Sequence, residues 1–101
     1  MKILRVNNNI IEEAEIDNTL EALQAEVDGY IENVTLVPEK AAMIVNEEGH
    51  YLGMGINLMA TAIAGMMIVG PAIIVGVEGE NYTDISDEIA EKVKGGGNSD
   101  S

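Results

Sequence analysis

The sequence predicts a small α+β domain that has a mostly antiparallel sheet and two or three helices. Three observations support this class. Apolar or alternating runs of strand length recur between turn residues. Two segments instead place apolar residues at helical spacing behind capping residues. The 101 residues suffice for one hydrophobic core, so we predict a single domain at residues 1–94 and a flexible Gly/Ser/Asp tail at 95–101.

The first 16 residues predict a β-hairpin. Residues 1–6 and 10–16 are rich in isoleucine and valine, and the second run alternates approximately with Glu13 and Glu15. The asparagines at 7–9 separate the two runs, and asparagine favours turns because it tolerates positive φ and bonds to its own backbone. The two strands are therefore expected to pair antiparallel.

The clearest helical pattern covers residues 17–30. Asn18 is the predicted N-cap, with Glu21 three residues later in the capping-box position, and Gly29 is the predicted stop. Apolar residues at i, i+3 and i+7 are expected to face the core: Leu20, Leu23 and Val27. The acidic residues of the helix are expected to lie in solvent: Glu21, Glu26 and Asp28.

Further strands and two more helices are predicted beyond this point. High β-propensity and flanking turn signals indicate strands at residues 30–37, 41–46, 50–52, 66–69 and 73–75. Helical spacing indicates helices at 56–64 and 85–93, and the second is expected to be capped by Thr83 or Asp84. Residues 76–82 are expected to form a loop.

The charge balance excludes several classes of function. Five Lys and Arg stand against 18 Asp and Glu, which gives a formal charge of −13. Direct binding of DNA, RNA or an anionic membrane is not expected, because phosphate contacts require Lys and Arg. Cysteine, Trp and Phe are absent. The sequence therefore predicts no disulfide, no thiolate zinc site, no cysteine nucleophile and no base-stacking platform.

One long stretch raises the question of a membrane segment. Residues 51–77 contain no charged side chain, and about 20 apolar residues suffice to span hydrocarbon. Glycines and the pair Gly70-Pro71 interrupt the stretch, and its flanks are acidic rather than rich in Lys and Arg. Its apolar pieces also have the length of strands. We therefore interpret residues 51–77 as buried core, with a membrane segment as the alternative.

Several motifs occur together along the chain. They are the MKILRV opening, the helix start EIDNTLEALQ, the stretch Gly29-Tyr30-Ile31-Glu32, the turn NEEG at 46–49, and two IVG runs at 68–70 and 74–76. In this combination, residues 1–88 resemble a small uncharacterised domain family carried by phages, plasmids and conjugative elements of Gram-positive bacteria. The resemblance implies a cytoplasmic accessory protein of a mobile element. It brings no catalytic residues, and it argues against a membrane segment.

The chain departs from that family at residues 53–67. This segment is apolar and rich in methionine, whereas the family tends to have a charged stretch at the corresponding place. A binding role of the family's polar segment therefore does not transfer to this chain.

The sequence contains few combinations of residues that could form a catalytic site. His50 is the single histidine and lies in a predicted turn, while the serines lie in a predicted helix or in the tail. No nucleophile is therefore expected to pair with His50. Glu78, Glu80 and Asp84 resemble a calcium loop only loosely, because the central glycine and terminal glutamate of an EF-hand are missing. We predict no enzyme activity, cofactor, catalytic residue or metal site.

The acidic residues carry the leading functional hypothesis. Their densest cluster consists of Glu78, Glu80, Asp84, Asp87, Glu88 and Glu91. Four of these, from Asp84 onward, have the spacing of one helix face. We hypothesise that this surface imitates nucleic-acid phosphates and binds a host or phage protein with a basic surface, helped by electrostatic steering. In its most concrete form, it inhibits a host protein that handles nucleic acid or acts in defence. The simpler interpretation is a solvated face that keeps an apolar domain soluble.

The methionines carry the alternative hypothesis. Met54, Met59, Met66 and Met67 lie in the Met/Gly-rich segment 53–69. Methionine fills irregular gaps in cores and also lines adaptable binding surfaces. Core packing is the simpler interpretation, and a small-molecule site or a homo-oligomer through this segment is the functional one. In that case the acidity serves solubility only.

Overall fold

The computed structural model describes residues 1–95 and contains six strands and three helices in that range. The strands are β1 (Lys2–Val6), β2 (Ile11–Glu15), β3 (Ile31–Val37), β4 (Ala41–Asn46), β5 (Ala72–Glu78) and β6 (Asn81–Thr83). The helices are α1 (Leu20–Val27), α2 (Leu58–Ala64) and α3 (Asp87–Lys94). The predicted α+β class with an antiparallel sheet is confirmed. Residues 96–101, which make up most of the predicted tail, lie outside the described residues.

The six strands form one antiparallel sheet with β5 at its centre. The order is β2-β1-β5-β4-β3, and β6 also pairs with β5. β5 pairs with β1 through Ala72–Ile74 and with β6 through Gly76–Glu78, while β4 occupies its other side. β2 and β3 are therefore the outer edges of the sheet.

Helices cover both faces of the sheet. On one face, Leu23 and Val27 of α1 are buried in a cluster with Ile3, Ile44 and Ile73. On the other face, Ala60 of α2 and Ala90 of α3 are buried in a cluster that includes Leu4, Met43 and Ile74. Successive residues of a strand point to opposite faces. β4 and β5 are therefore apolar at nearly every position, as expected for strands covered on both sides.

The charge-free stretch 51–77 belongs to this architecture. It comprises a turn, α2, a loop and most of β5, and its strand portion is buried at the centre of the sheet. Within residues 1–95, no helix combines the length and the apolar composition that crossing a membrane would require.

The predicted first hairpin is confirmed, and the first helix differs from the prediction at both ends. Thr19, not Asn18, is the N-cap, because its hydroxyl accepts a hydrogen bond from the amide of Ala22 at 3.1 Å. Asp28 ends the helix in the left-handed conformation. Leu20 is 55% exposed, because only the later turns of α1 pack on the sheet.

Glu26 does not lie free in solvent as predicted. Its carboxylate accepts hydrogen bonds from Nε and Nη2 of Arg5 at 2.8 and 2.9 Å. Its side chain is only 16% exposed, since α1 lies over the strand that presents Arg5. This bidentate pair ties α1 to β1.

The second half of the chain contains most of the corrections. Residues 50–52 form a turn instead of a strand, and 66–69 contributes only an isolated bridge between Ile56 and Val69. The predicted loop at 76–82 is instead a hairpin between β5 and β6. Position 76 inside β5 requires glycine, because the carbonyl oxygen of Asp84 would be 2.2 Å from a Cβ atom there. Ser86, not Thr83 or Asp84, caps α3.

Candidate functional site

The residues singled out by the sequence lie mainly at two opposite ends of the sheet. β4 runs from one end, at Ala41, to the other, at Asn46. We call the first the acidic end, and it contains Glu39, Glu78, Glu80, Asp84 and Glu88. We call the second the apolar end, and its exposed apolar residues are Tyr51, Leu52, Ile56, Leu58, Met66 and Met67.

Acidic residues from three segments line one depression at the acidic end. Glu39 from the β3–β4 turn, Glu78 from the end of β5, and Asp84 and Glu88 around the start of α3 line one depression of 360 Å³. Among residues 1–95, Lys40 is the one cation that lines it. The arrangement presents concentrated negative charge to solvent.

Glu39 belongs to this group although the sequence analysis did not single it out. The amide of Lys40 donates to the carbonyl of Val37 at 2.9 Å, which closes a tight turn with Pro38 and Glu39 at its centre. Glu39 has a φ of 66°, in the region that normally favours glycine or asparagine. The signal available in the sequence was the proline of a turn followed by a carboxylate.

Asp84 and Asp87 contact the start of β1 and do not form a free helix face. An oxygen of Asp84 accepts from the backbone amide of Lys2 at 2.8 Å, and Asp84 precedes α3. Asp87 accepts from Nζ of Lys2 at 2.5 Å. This hydrogen bond, together with the positive charge, lowers the pKa of Asp87, and the same hydrogen bond raises the pKa of Lys2. Both side chains reach solvent, so water and salt screen the pair.

The remaining predicted acidic residues lie apart from the depression. Glu80 lines a different hollow of 280 Å³ with Asn33, Thr35 and Tyr82. Glu91 is exposed on α3. The structure thus brings Glu78, Asp84 and Glu88 together, adds Glu39, and separates Asp87 and Glu91 from them.

A second ion pair links α3 to the edge strand β2. Nζ of Lys94 donates to a carboxylate oxygen of Glu13 at 2.7 Å. This hydrogen bond and the charge of Lys94 lower the pKa of Glu13, while the hydrogen bond raises the pKa of Lys94. Lys2 and Lys94 are therefore occupied by carboxylates and leave the depression acidic.

The four predicted methionines at the apolar end have two different roles. Met59 packs partly buried against the core, and the side chain of Met54 lies close against Gly70. Met66 and Met67 are 53% and 58% exposed. These two line a depression of 220 Å³ together with Val34. The core interpretation therefore holds for Met59, and the surface interpretation applies to Met66 and Met67.

Two buried asparagines organise the loops of the apolar end. Nδ2 of Asn57 donates to the carbonyls of Val6 and Gly70, both at 2.9 Å, and its Oδ1 accepts from the amide of Ala60 as the N-cap of α2. Nδ2 of Asn46 donates to the carbonyl of Val27 at 2.9 Å. Asn57 was visible in the sequence as the polar residue before an apolar helix, but its tertiary contacts were not.

The residues considered for catalysis occupy ordinary structural positions. His50 is exposed in a turn, and the hydroxyl of Ser86 accepts from the amide of Ile89 at 3.2 Å. Across residues 1–95, no three side chains of the types His, Cys, Asp and Glu are grouped so as to hold a metal ion. Glu78 is the last residue of β5, and Glu80 lies in the turn that joins β5 to β6.

The comparison with known families identifies the chain as a member of one of them. No curated protein matches it. No solved structure matches it either. One family model, described as Domain of unknown function (DUF3846), matches residues 1–96. Because the match covers nearly all of the 101 residues, the chain belongs to the DUF3846 family.

Proposed function

We propose that this domain is a non-enzymatic binding protein whose acidic end engages a protein with a basic surface. In its most specific form, the proposal identifies the partner as a host protein that handles nucleic acid or acts in defence. The domain then acts in the bacterial cytoplasm as an accessory protein of a phage or mobile element. It inhibits its partner by occupying the groove that normally binds phosphates.

One observation carries the proposal: the four carboxylates that line the depression at the acidic end. They come from three separate segments, namely a turn, the end of β5 and the start of α3. Bringing like charges together is unfavourable unless a counter-charge is present. A basic partner supplies that counter-charge, and the long-range attraction accelerates its association.

The conformation of Glu39 supports the same interpretation. A residue other than glycine or asparagine has a strained backbone at a φ of 66°. Glycine would remove the strain but would also remove one of the four carboxylates. Strained residues are typical of functional sites, so a charged residue at this position favours a role for the charge.

The test compares two variants that have the same net charge. The first, Glu39→Lys/Glu78→Lys/Glu88→Lys, reverses the acidic end and leaves the bond from Asp84 to Lys2 intact. The second, Glu21→Lys/Glu47→Lys/Glu48→Lys, reverses three exposed residues elsewhere. Each is tagged and used to capture proteins from a soluble lysate of a Gram-positive host at low and high salt, with identification by mass spectrometry.

The expected result is capture of a basic nucleic-acid-binding protein by the wild type and by the second variant at low salt. High salt should release that protein, because screening weakens the contact. The first variant should not capture it. Equal capture by both variants would mean that the net charge, and not the position of the carboxylates, decides binding. Failure to capture a basic protein in any sample would contradict the proposal.

The apolar end supports a second candidate function, in which segment 53–69 mediates self-association or binds a small molecule. Exposed apolar residues concentrated in one region typically mark interaction surfaces. Met66 and Met67 provide this surface, together with Ile56. Met66→Asp should then disrupt a concentration-dependent dimer in sedimentation velocity, whereas the acidic-end variant should not. A wild-type chain that stays monomeric and is unaffected by Met66→Asp would contradict this candidate.

A further inference from the structure

The two outer edges of the sheet are protected to different degrees. β2 has five residues, three of them glutamates, and Glu13 is paired with Lys94. β3 has seven residues, and Glu32 is its one charged member. Charged side chains discourage an exposed strand from pairing with another chain. The edge formed by β3 is therefore the more accessible of the two.

Backbone groups along β3 are available for pairing. The amide of Glu47 donates to the carbonyl of Tyr30 at 2.9 Å, in the same register as the β3–β4 ladder. Hydrogen-bonded pairs alternate along an antiparallel ladder, so every second residue of β3 directs its N–H and C=O away from β4. These residues are Ile31, Asn33 and Thr35. In this register their amides form no bond to β4.

Two apolar depressions flank this edge on the face covered by α2 and α3. The first, of 220 Å³, is lined by Val34, Met66 and Met67, and its charged lining residues are Glu32 and Glu47. The second, of 240 Å³, is lined by Leu36, Ile63, Ile89 and Val93, and its charged lining residues are Lys40, Glu88 and Lys92. An apolar side chain placed beside either position would be removed from water.

The opposite face of the same edge is polar and acidic. The hollow of 280 Å³ there is lined by Asn33 and Thr35 of β3, and by Glu39 and Glu80. A cation placed on this face would lie close to two carboxylates. The two sides of the β3 edge thus favour different side chains, apolar on one and basic on the other.

The geometry points to β3 as a docking edge for an extended segment of a partner protein in which apolar and basic residues alternate. Such a segment adds a seventh strand and bonds to the outward amides and carbonyls of β3. Its alternate side chains then reach opposite faces, the apolar ones beside Val34 and Leu36 and the basic ones beside Glu39 and Glu80.

The negative charge of the chain favours a different protein, and not a second copy of the chain, as the partner that pairs with β3. Each copy of the chain has a formal charge of −13, so pairing two copies along β3 would bring strongly like-charged surfaces together. A basic segment removes this repulsion. The inference shares Glu39 and Glu80 with the acidic end, but it does not rest on the partner proposed there, because it concerns backbone pairing along β3.

The test uses two synthetic peptides of identical composition, KVKVKVKVK and KKVVKKVVK. Only the first places lysine and valine on opposite faces of a strand, whereas both have the same charge. Titration calorimetry should show about tenfold tighter binding of the alternating peptide. In hydrogen-exchange NMR, that peptide should slow exchange of the three outward amides on β3, at Ile31, Asn33 and Thr35.

A pair of variants isolates the backbone contribution. Thr35→Pro removes one outward amide without removing a bond to β4, and proline is tolerated where an edge N–H faces solvent. Thr35→Val is the matched control, since it keeps the amide and loses the hydroxyl. Thr35→Pro should weaken binding of the alternating peptide about fivefold or more, and Thr35→Val should change it less than about twofold.

Three outcomes would overturn the inference. They are equal affinity for both peptides, protection of amides on β2 instead of β3, and a β3-paired dimer of the chain that excludes the peptide. Urea denaturation verifies that each variant folds. If Thr35→Pro does not fold, the exchange pattern of the wild-type chain decides.

Discussion

The acidic end and the apolar end connect the same strands in contrasting ways. At the acidic end, β3 joins β4 through residues 38–40, and β5 joins β6 through residues 79–80. At the apolar end, β4 joins β5 through residues 47–71, a connection that contains α2. The short connections need few bonds beyond the strand ladders. The long one contains many backbone groups that must find partners inside the fold.

This difference explains which side chains each end can use for binding. Asn46 and Asn57 are 4% exposed, and the side-chain amides of both donate hydrogen bonds to backbone carbonyls. At the acidic end, Glu39, Glu78 and Glu88 line a depression open to solvent. A short turn secured by its backbone leaves its side chains free to be charged, whereas a long connection needs polar side chains for its own structure.

The largest expected change in stability comes from a substitution at the apolar end. Asn57→Ala removes donors to the carbonyls of Val6 and Gly70 and the cap of α2, so it should lower the free energy of unfolding by about 3 kcal/mol. Asn8→Ala is the control, since Asn8 is exposed and accepts from the amide of Leu58, and it should cost less than about 1 kcal/mol. Urea denaturation measures both. Similar values would mean that burial of the asparagine is not decisive.

A smaller and opposite effect is expected at the acidic end. Glu39→Gly should raise the free energy of unfolding by about 0.5–1 kcal/mol, because glycine adopts a φ of 66° without strain. Glu39→Ala removes the same carboxylate but keeps the strained conformation, so it should give no such gain. Thermal unfolding compares the stabilities of the two variants. If alanine stabilises as much as glycine, relief of charge repulsion and not backbone strain is the cause.

The smallest effect concerns the ion pair between Lys2 and Asp87. Lys2 lowers the pKa of Asp87 in the folded state, so the pair stabilises the fold above the ordinary aspartate pKa of about 3.9. That contribution is lost as the pH falls through the lower, folded-state pKa. Asp87→Asn should therefore be slightly less stable than the wild type at neutral pH, and the difference should vanish in strong acid.

Urea denaturation as a function of pH tests this expectation, with Glu21→Gln as the control. Glu21 lies in the first turn of α1 as Asp87 does in α3, but within residues 1–95 it forms no ion pair. Its replacement should leave a smaller pH-dependent difference. High salt should also reduce the effect of Asp87→Asn, since exposed pairs are screened. A difference that persists below the folded-state pKa would show a cause other than the charge of Asp87.

Local sequence patterns predicted the first four strands well. Three of them are runs rich in β-branched or apolar residues, and β2 alternates approximately between apolar and acidic residues, so their conformations follow from the residues themselves. The errors arose where pairing partners decide the structure. Asn81–Thr83 becomes a strand because it lies opposite Gly76–Glu78, and residues 66–69 stay irregular because only Val69 finds a bridge partner.

The capping errors have a tertiary cause as well. Asn18 and Thr19 are both good caps, and Asn18 donates instead to the carbonyl of Tyr82 at 3.0 Å. Asp84 accepts from the amide of Lys2, which leaves Ser86 to cap α3. Neighbouring residues with equal local propensity were therefore assigned by contacts with distant parts of the chain.

The α+β class, the strongly negative charge and the burial of the strand at 73–75 follow from the sequence alone, because composition and local apolar patterns encode these properties. Which acidic residues line one depression depends on the tertiary structure. It joined Glu39 to Glu78 and Glu88 and tied Asp87 to Lys2. That grouping depends on strand order and on the end of the sheet at which each turn lies, which residue spacing along the chain does not specify.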